Sequence, residues 1–187
     1  MNQDLEQILK EREVLMEGHF LLSSGLHSSE YLQCARIFQD PKLAEKVGLR
    51  LAERFKDLEI DLVLGPAIGG IIAAFTVGMA LEKRVVFTER NDQGQMCLRR
   101  GFEVADGERV LVVEDVVTTG GSVEETIEVI AGEGGTVVGV GSVIDRSQGW
   151  DYRGLYRSLL RLEVETYNPK ECPLCQQGIS LIKPGSR

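Results

Sequence analysis

The chain has 187 residues, 43% of them hydrophobic, and 21 Lys and Arg against 29 Asp and Glu give a net charge of −8. That is enough apolar material for one good core, while the acidic balance argues against non-specific nucleic-acid binding, which needs a basic face. The opening MNQDLEQILKEREVL has neither a positive n-region nor an apolar h-region, so secretion is not expected and the four cysteines are expected to stay reduced in the cytoplasm.

Leu5, Ile8 and Leu9, followed by Leu15 and Met16, predict an amphipathic N-terminal helix. GHFLLSSGLHSSEYLQC, Gly18 to Cys34, places two short apolar stretches around a Ser-Ser-Gly turn and reads as a hairpin-like insertion. Asp40-Pro41 opens a helix in which Ala44, Val47, Leu51, Ala52 and Phe55 recur at three- and four-residue steps. Leu62–Leu81 carries no charge, but Gly65-Pro66 and Gly69-Gly70 split it into a strand, a tight loop and a helix. That helix, about 20 Å long, is too short to cross a bilayer.

Beyond it the pattern alternates. Arg84–Thr88 is a predicted strand, Glu89–Gln95 a polar tip, Val110–Val113 a strand, Val123–Ala131 a helix and Thr136–Ile144 a strand. Short β-branched runs alternating with helices predict an α/β fold, a parallel sheet covered on both faces. Ligands on such sheets bind beyond the carboxyl ends of the strands. Three loops are therefore expected on one rim: Pro66–Gly70, Glu114–Ser122 and the segment after Ile144.

The stretch VLVVEDVVTTGGS, Val110 to Ser122, carries the chemistry. Thr118 to Ser122 lies where a strand gives way to a helix, with Ser122 or Gly121 as the expected N-cap. The first amides of a helix lack partners and sit at the positive end of its dipole. Gly120 and Gly121 let the backbone approach a ligand, and Thr118, Thr119 and Ser122 add hydroxyls, so this is a phosphate site in type. It is neither a Walker A loop nor a Rossmann fingerprint. Glu114 and Asp115 suit hydroxyl groups or a developing cation instead. The loop as a whole fits a phosphorylated sugar, with the acid pair beside a ring that turns electron-poor during reaction. The bland alternative is that both acids cap a strand end or pair with arginines.

Cys172 and Cys175, in CPLC, have the spacing of half a zinc knuckle, but a structural site wants four ligands. His19 and His27 are the chain's two histidines and lie far away in sequence, so such a site requires them or a second chain. A plain C-terminal turn is the default reading.

Two hydrophobic residues, two acids, two hydrophobic residues and TTGGS resemble the phosphoribosyl-pyrophosphate (PRPP) signature of the type I phosphoribosyltransferases. GHFLLSSGLHSSEYLQ, GPAIGGI, LRRGF and VIDR are together similar to the orotate phosphoribosyltransferases. The resemblance implies a single domain with a core of about 41–164, a small hood of about 1–40, a tail at 165–187 and a mobile hairpin loop. It implies transfer of ribose 5-phosphate from PRPP to N1 of orotate, giving orotidine 5′-monophosphate and pyrophosphate, as in de novo pyrimidine biosynthesis. Mg2+ would be held mainly through PRPP, and the partners would be the two substrates and a second copy of the chain with shared active sites, with no nucleic acid or membrane.

Carried across, Glu114 and Asp115 face the ribose hydroxyls, Val116 and Val117 belong to the PRPP-binding stretch, and Thr118, Thr119, Gly120, Gly121 and Ser122 hold the 5′-phosphate. Ala67, Ile68, Gly69 and Gly70 present amides to pyrophosphate, and Arg146 holds the orotate carboxylate with Thr118 near the base. Arg90 matches one basic position of the mobile loop, and Glu89–Gln95 forms a lid. The sequence departs from the family pattern at Glu89, where an arginine is usual, at Ile68-Gly69, where a tyrosine–lysine pair is usual, and near Ser23, where a lysine is missing. Arg99 and Arg100 are the candidates to replace the missing loop charges. The competing expectations are a purine or xanthine in place of orotate, and a regulator that keeps the fold to sense PRPP or a nucleotide.

Overall fold

The computed structural model describes residues 7–9, 12–22, 24–147 and 149–184. Leu5 and Ser23, both singled out above, lie outside the described residues. The chain divides into two compact units, Phe38–Arg161 and a second made of Met1–Ile37 with Leu162–Arg187.

The larger unit is an α/β layer structure. Its six-stranded sheet has β3 (Leu62–Pro66), β4 (Arg84–Arg90), β5 (Met96–Leu98), β6 (Arg109–Val117), β7 (Thr136–Asp145) and β8 (Tyr156–Arg161) in the order β5-β4-β3-β6-β7-β8. All neighbours are parallel except β5, an antiparallel edge strand. The central strands show no polar face. Every residue of β3 is buried, and β6 is buried from Val110 to Glu114. Alternate residues feed opposite layers: Leu62, Leu64, Val110 and Val112 join Val123 and Ile130 in one cluster, and Val63 and Leu111 point to the other side.

Three helices cover the sheet. In α2 (Pro41–Glu53) Asp40 is the N-cap, accepting from the Lys42 and Leu43 amides at 3.0 and 3.3 Å, and Pro41 fills the first turn. Leu43, Ala44, Val47, Leu51 and Ala52 form its buried stripe; Phe55 lies just beyond the helix end and is also fully buried. α3 (Gly69–Leu81) is the helix expected at the end of the uncharged stretch, and no helix among the described residues is long and apolar enough to cross a membrane. α4 (Gly121–Gly132) follows β6.

In the smaller unit, β1 (Leu15–Leu21), β2 (His27–Leu32) and β9 (Thr166–Tyr167) make an antiparallel sheet, preceded by a helical segment at 7–9 and followed by a turn of helix, α1 (Ala35–Phe38), that runs into the larger unit. The expected hairpin over Gly18–Cys34 is β1–β2. Leu15 and Met16 are not helical as their spacing predicted; they pair across the sheet with Leu32 and Tyr31. Tertiary pairing overrides a weak local period here. The tail after β9 forms a 3-10 turn (Pro169–Glu171) and a short helix, α5 (Pro173–Gln176).

Candidate active site

The strand order puts the carboxyl ends of β3, β6 and β7 side by side, so the loops that follow them meet. Three contacts measure how closely. The amide of Arg146, just past β7, donates to the Val117 carbonyl at 2.8 Å. A β-carbon built on Gly69 would lie 2.5 Å from the Asp115 carboxylate. One on Gly70 would lie 3.0 Å from Glu114 Oε1. Pro66–Gly70, Glu114–Ser122 and the segment after Ile144 thus form one rim, as the sequence led us to expect.

The acid pair lies near the end of β6 in two different environments. Glu114 is buried and Asp115 half-buried. Glu114 Oε1 accepts from the Asp115 amide at 3.1 Å, and Asp115 Oδ1 accepts from the Val116 amide at 2.8 Å. Burial raises the pKa of Glu114 well above the carboxylate range, and the Asp115 charge raises it further. Burial raises Asp115 as well. Among the described residues, no arginine or lysine is among the groups that shift either acid. Two carboxyls this close favour sharing a proton until a hydroxyl donor or positive charge arrives.

Beyond the acids an open cleft, with about 230 Å³ of empty space, is lined by Glu114 and by Val116 through Val123. Its floor is the start of α4. The N-cap is Gly120, in the left-handed region at φ 80°, and not Ser122 or Gly121. A glycine cap offers no side-chain oxygen; the Gly121 amide makes only a long 3.5 Å contact with Thr119 Oγ1, and the leading amides of a helix are groups that an anion can take. Thr118 and Thr119 are exposed beside them. Two acids in the first turns are engaged elsewhere: Glu124 accepts from Trp150 Nε1 at 2.8 Å, and Glu125 pairs with Arg90 at 2.8 Å. Those contacts temper the negative charge beside the cleft.

Trp150 was not singled out from the sequence. Its indole covers Gly120 so closely that any β-carbon there would overlap the ring, and it stacks on Tyr152 at 5.4 Å between centroids. The only signal available was a lone tryptophan in a polar stretch, which is weak. Tyr156, on the unpredicted β8, donates or accepts a 2.7 Å bond with Ser142, and burial pushes its pKa up to about 12.

Arg90 ends β4 with its guanidinium on the Gly94 carbonyl at 2.6 Å and on Glu125. The Glu89–Gln95 segment is the expected hairpin tip: Asn91 Oδ1 accepts from the Gln93 and Gln95 amides at 3.0 and 2.9 Å. Glu89, the residue that departs from the family pattern, holds Arg100 at 2.9 Å and Arg99 at 3.6 Å. The Arg100 guanidinium keeps the Glu89 carboxyl below its usual range. Ala67 is half-buried and Ile68 is exposed, joined by a cis peptide bond, on the loop that reaches Asp115. Asp145, beside Arg146, is buried and accepts from the Ser147 amide and hydroxyl at 2.8 and 2.6 Å.

Comparison with known proteins agrees with this geometry. Residues 34–160 match the phosphoribosyl transferase domain. An orotate phosphoribosyltransferase of Caldanaerobacter subterraneus subsp. tengcongensis is 56% identical over 182 residues, covering 97% of this chain and 95% of its own. The solved orotate phosphoribosyltransferase of Aeropyrum pernix is 29% identical, with a TM-score of 0.70, covering 84% of this chain and 93% of the other. That of Mycobacterium tuberculosis H37Rv, solved in complex with PRPP, is 28% identical, with a TM-score of 0.69 and coverage of 86% and 96%.

Proposed function

The chain belongs to the orotate phosphoribosyltransferases of the phosphoribosyl transferase family, and on that premise we propose how its rim divides the reaction. The reaction breaks the bond between C1 of PRPP and its pyrophosphate, and N1 of orotate takes the ribose 5-phosphate. The product is orotidine 5′-monophosphate, the immediate precursor of UMP.

The loop Thr118–Ser122 receives the 5′-phosphate on the leading amides of α4. One observation carries this reading: the cleft at that helix start is lined by the same strand end that bears Glu114. Glu114 and Asp115 accept hydrogen bonds from the ribose 2′- and 3′-hydroxyls. Those hydroxyls replace the shared proton, and the pair's negative charge then favours the sugar as it becomes cationic. Ala67 to Gly70 offer amides to pyrophosphate. Arg146, next to the amide-to-Val117 bond that fixes its backbone, takes the orotate carboxylate, with Thr118 beside the base.

Mg2+ fits as a group carried in by the substrate. Among the described residues the rim gathers two carboxylates and no larger ligand cluster, too few for a site of protein ligands alone. Glu114 and Asp115 would be the protein's acidic contribution to holding Mg2+, and the chemistry it would supply is screening of the leaving group's charge. Arg90 supplies a guanidinium to the pyrophosphate when the Glu89–Gln95 hairpin closes as a lid over the site and keeps water from the reactive sugar.

The working form is a homodimer with shared sites, in the cytoplasm. α3 supports this reading: it is apolar all round, yet Ile72, Phe75 and Met79 are 46, 55 and 56% exposed. With Leu49 and Phe38 they line one apolar groove, the kind of surface that a partner subunit covers. The decisive assay measures pyrophosphate release from PRPP and Mg2+ with orotate, adenine, hypoxanthine, xanthine or uracil. Release with orotate alone is expected. Release with a purine and not orotate would replace the base assignment and leave the phosphate cup intact.

A further inference from the structure

Four side chains of the smaller unit, none of them part of the chemistry above, converge on one point. The ligand atoms of His19, His27, Cys172 and Cys175 all lie within 4.8 Å of one another. Three of these residues are buried: His19 is 1%, His27 6% and Cys172 0% exposed. We propose that they form a structural Zn2+ site of the Cys2His2 type, which ties the β1–β2 hairpin to the C-terminal tail.

Three of the six separations, all between nitrogen and sulfur, match a tetrahedron's edges. With Zn–N near 2.05 Å and Zn–S near 2.3 Å, ideal edges are about 3.3 Å for N···N and about 3.6 Å for N···S. Cys172 Sγ lies 3.5 Å from His19 Nε2, and Cys175 Sγ lies 3.7 Å from that atom and 3.4 Å from His27 Nδ1. His19 Nε2 and His27 Nδ1 are 2.9 Å apart, a hydrogen bond that opens by a few tenths of an ångström to admit the ion.

Local structure is arranged to aim these atoms. The β1–β2 register slips between Glu17 and Phe20, so β1 buries two successive residues, His19 and Phe20, where a regular strand would bury one. A bulge of this kind re-aims a side chain. His19 Nδ1 donates to the Ile179 carbonyl at 2.7 Å. A carbonyl only accepts, so the proton is on Nδ1 and the Nε2 lone pair faces the cluster, the usual outer support of a zinc-bound histidine. The backbone of the same residue is held by the tail too: the Ile182 amide donates to the His19 carbonyl at 2.8 Å. On the other side, Pro173 and the turn of α5 bring both sulfurs to one face, and Gly178, at φ 71°, ends that turn.

The charge also balances. Two thiols lose their protons on binding, two imidazoles remain neutral, and two thiolates cancel the charge of Zn2+. Soft sulfur with imidazole in a tetrahedron selects zinc over the oxygen-seeking Mg2+. Four protein ligands leave no open position, so the ion holds structure and does no catalysis. A three-stranded sheet with a short tail has little core of its own, the setting in which a metal staple contributes most.

The test uses the full chain purified without chelator. About one Zn2+ per chain is expected by elemental mass spectrometry. Co2+ exchanged into the site should give the intense visible bands of tetrahedral cobalt and a thiolate-to-cobalt charge-transfer band. Cys175→Ser should weaken that band, with Cys97→Ser, outside the cluster, leaving it unchanged; Cys175 is exposed, so its variant is expected to fold. A chelator should lower Tm by several degrees and expose two further thiols to a thiol reagent. Absence of stoichiometric metal, a weak octahedral cobalt spectrum, or a Cys172–Cys175 disulfide in the fresh protein would each overturn the site.

Discussion

Gly69 lies so close to Asp115 that a single methyl group cannot stand between them: its β-carbon would be 2.5 Å from both carboxylate oxygens. The loop after β3 and the two acids near the end of β6 are therefore in close contact. Gly69→Ala must push Asp115 or the Ala67–Gly70 backbone aside. Displacing a group by about 1 Å at a reacting centre costs roughly 100-fold in rate. We expect kcat/KM to fall by that order while thermal unfolding hardly moves, because alanine is a good helix former at the first position of α3. A variant with wild-type kinetics would show that Asp115 takes no part.

Glu114 gives a prediction that runs opposite to intuition. Both acids of the pair have raised folded-state pKa values, from burial first and, for Glu114, the neighbouring charge second. Above the ordinary carboxylate range near 4, the folded chain binds more protons than the unfolded one. Stability is then greatest below that range and is lost as pH rises through the pair's raised values. Glu114→Gln removes the penalty. Its Tm should exceed the wild type's at neutral pH and converge with it in acid, with about 2–4 °C for each kcal/mol relieved. Its kcat should fall roughly 100-fold or more, since the charge facing the sugar is gone. A Tm difference independent of pH would refute the shared-proton account.

The sheet was legible because its signal is local. Leu62–Leu64 and Val110–Val113 are β-branched or aliphatic runs bounded by turn residues, and a parallel core demands such runs. The rim was legible for the same reason, since each of its loops follows a strand of a parallel sheet at the carboxyl end. Errors fell where distant pairing decides. Leu15 and Met16 fit a helical period, but their partners Tyr31 and Leu32 make them a strand. β6 continues through Glu114 and Asp115 to Val117 because β7 pairs with it as far as Asp145. The meeting of His19 with Cys172, across more than a hundred intervening residues, has no local signature at all.

α3 offers a test of assembly. Phe75 and Met79 are more than half exposed, so a charge at either position has little core to disturb in a lone chain. Met79→Asp should leave the circular dichroism and the fold intact. In sedimentation it should shift the protein from dimer to monomer, and orotate turnover should fall with it if the sites are shared. A variant that remains dimeric would move the interface to another face.

Arg146, in the role proposed for it, gives a test that separates the two substrates. Its backbone is pinned by the bond to Val117, so Arg146→Ala changes the side chain without moving the strand end. Loss of a charge-assisted pair is worth about 1.5–3 kcal/mol, which places the expected rise in KM for orotate at roughly 10- to 150-fold, with KM for PRPP close to unchanged. Equal losses for both substrates would assign the guanidinium to phosphate instead.

Trp150 makes the phosphate cup observable. It is the chain's single tryptophan, it lies against Gly120, and its indole N–H donates to Glu124 in the first turn of α4. An anion arriving at those amides changes the field on the indole directly. PRPP, and inorganic phosphate more weakly, should therefore alter the intrinsic fluorescence in a saturable way, and orotate alone should not. Gly120→Ala is the matching control. It forces a side chain into the left-handed region and into the ring, so the indole must swing away. Fluorescence in that variant should be shifted before any ligand is added, and phosphate should no longer change it. If both ligands leave the wild-type signal flat while turnover proceeds, the 5′-phosphate is held somewhere other than the start of α4.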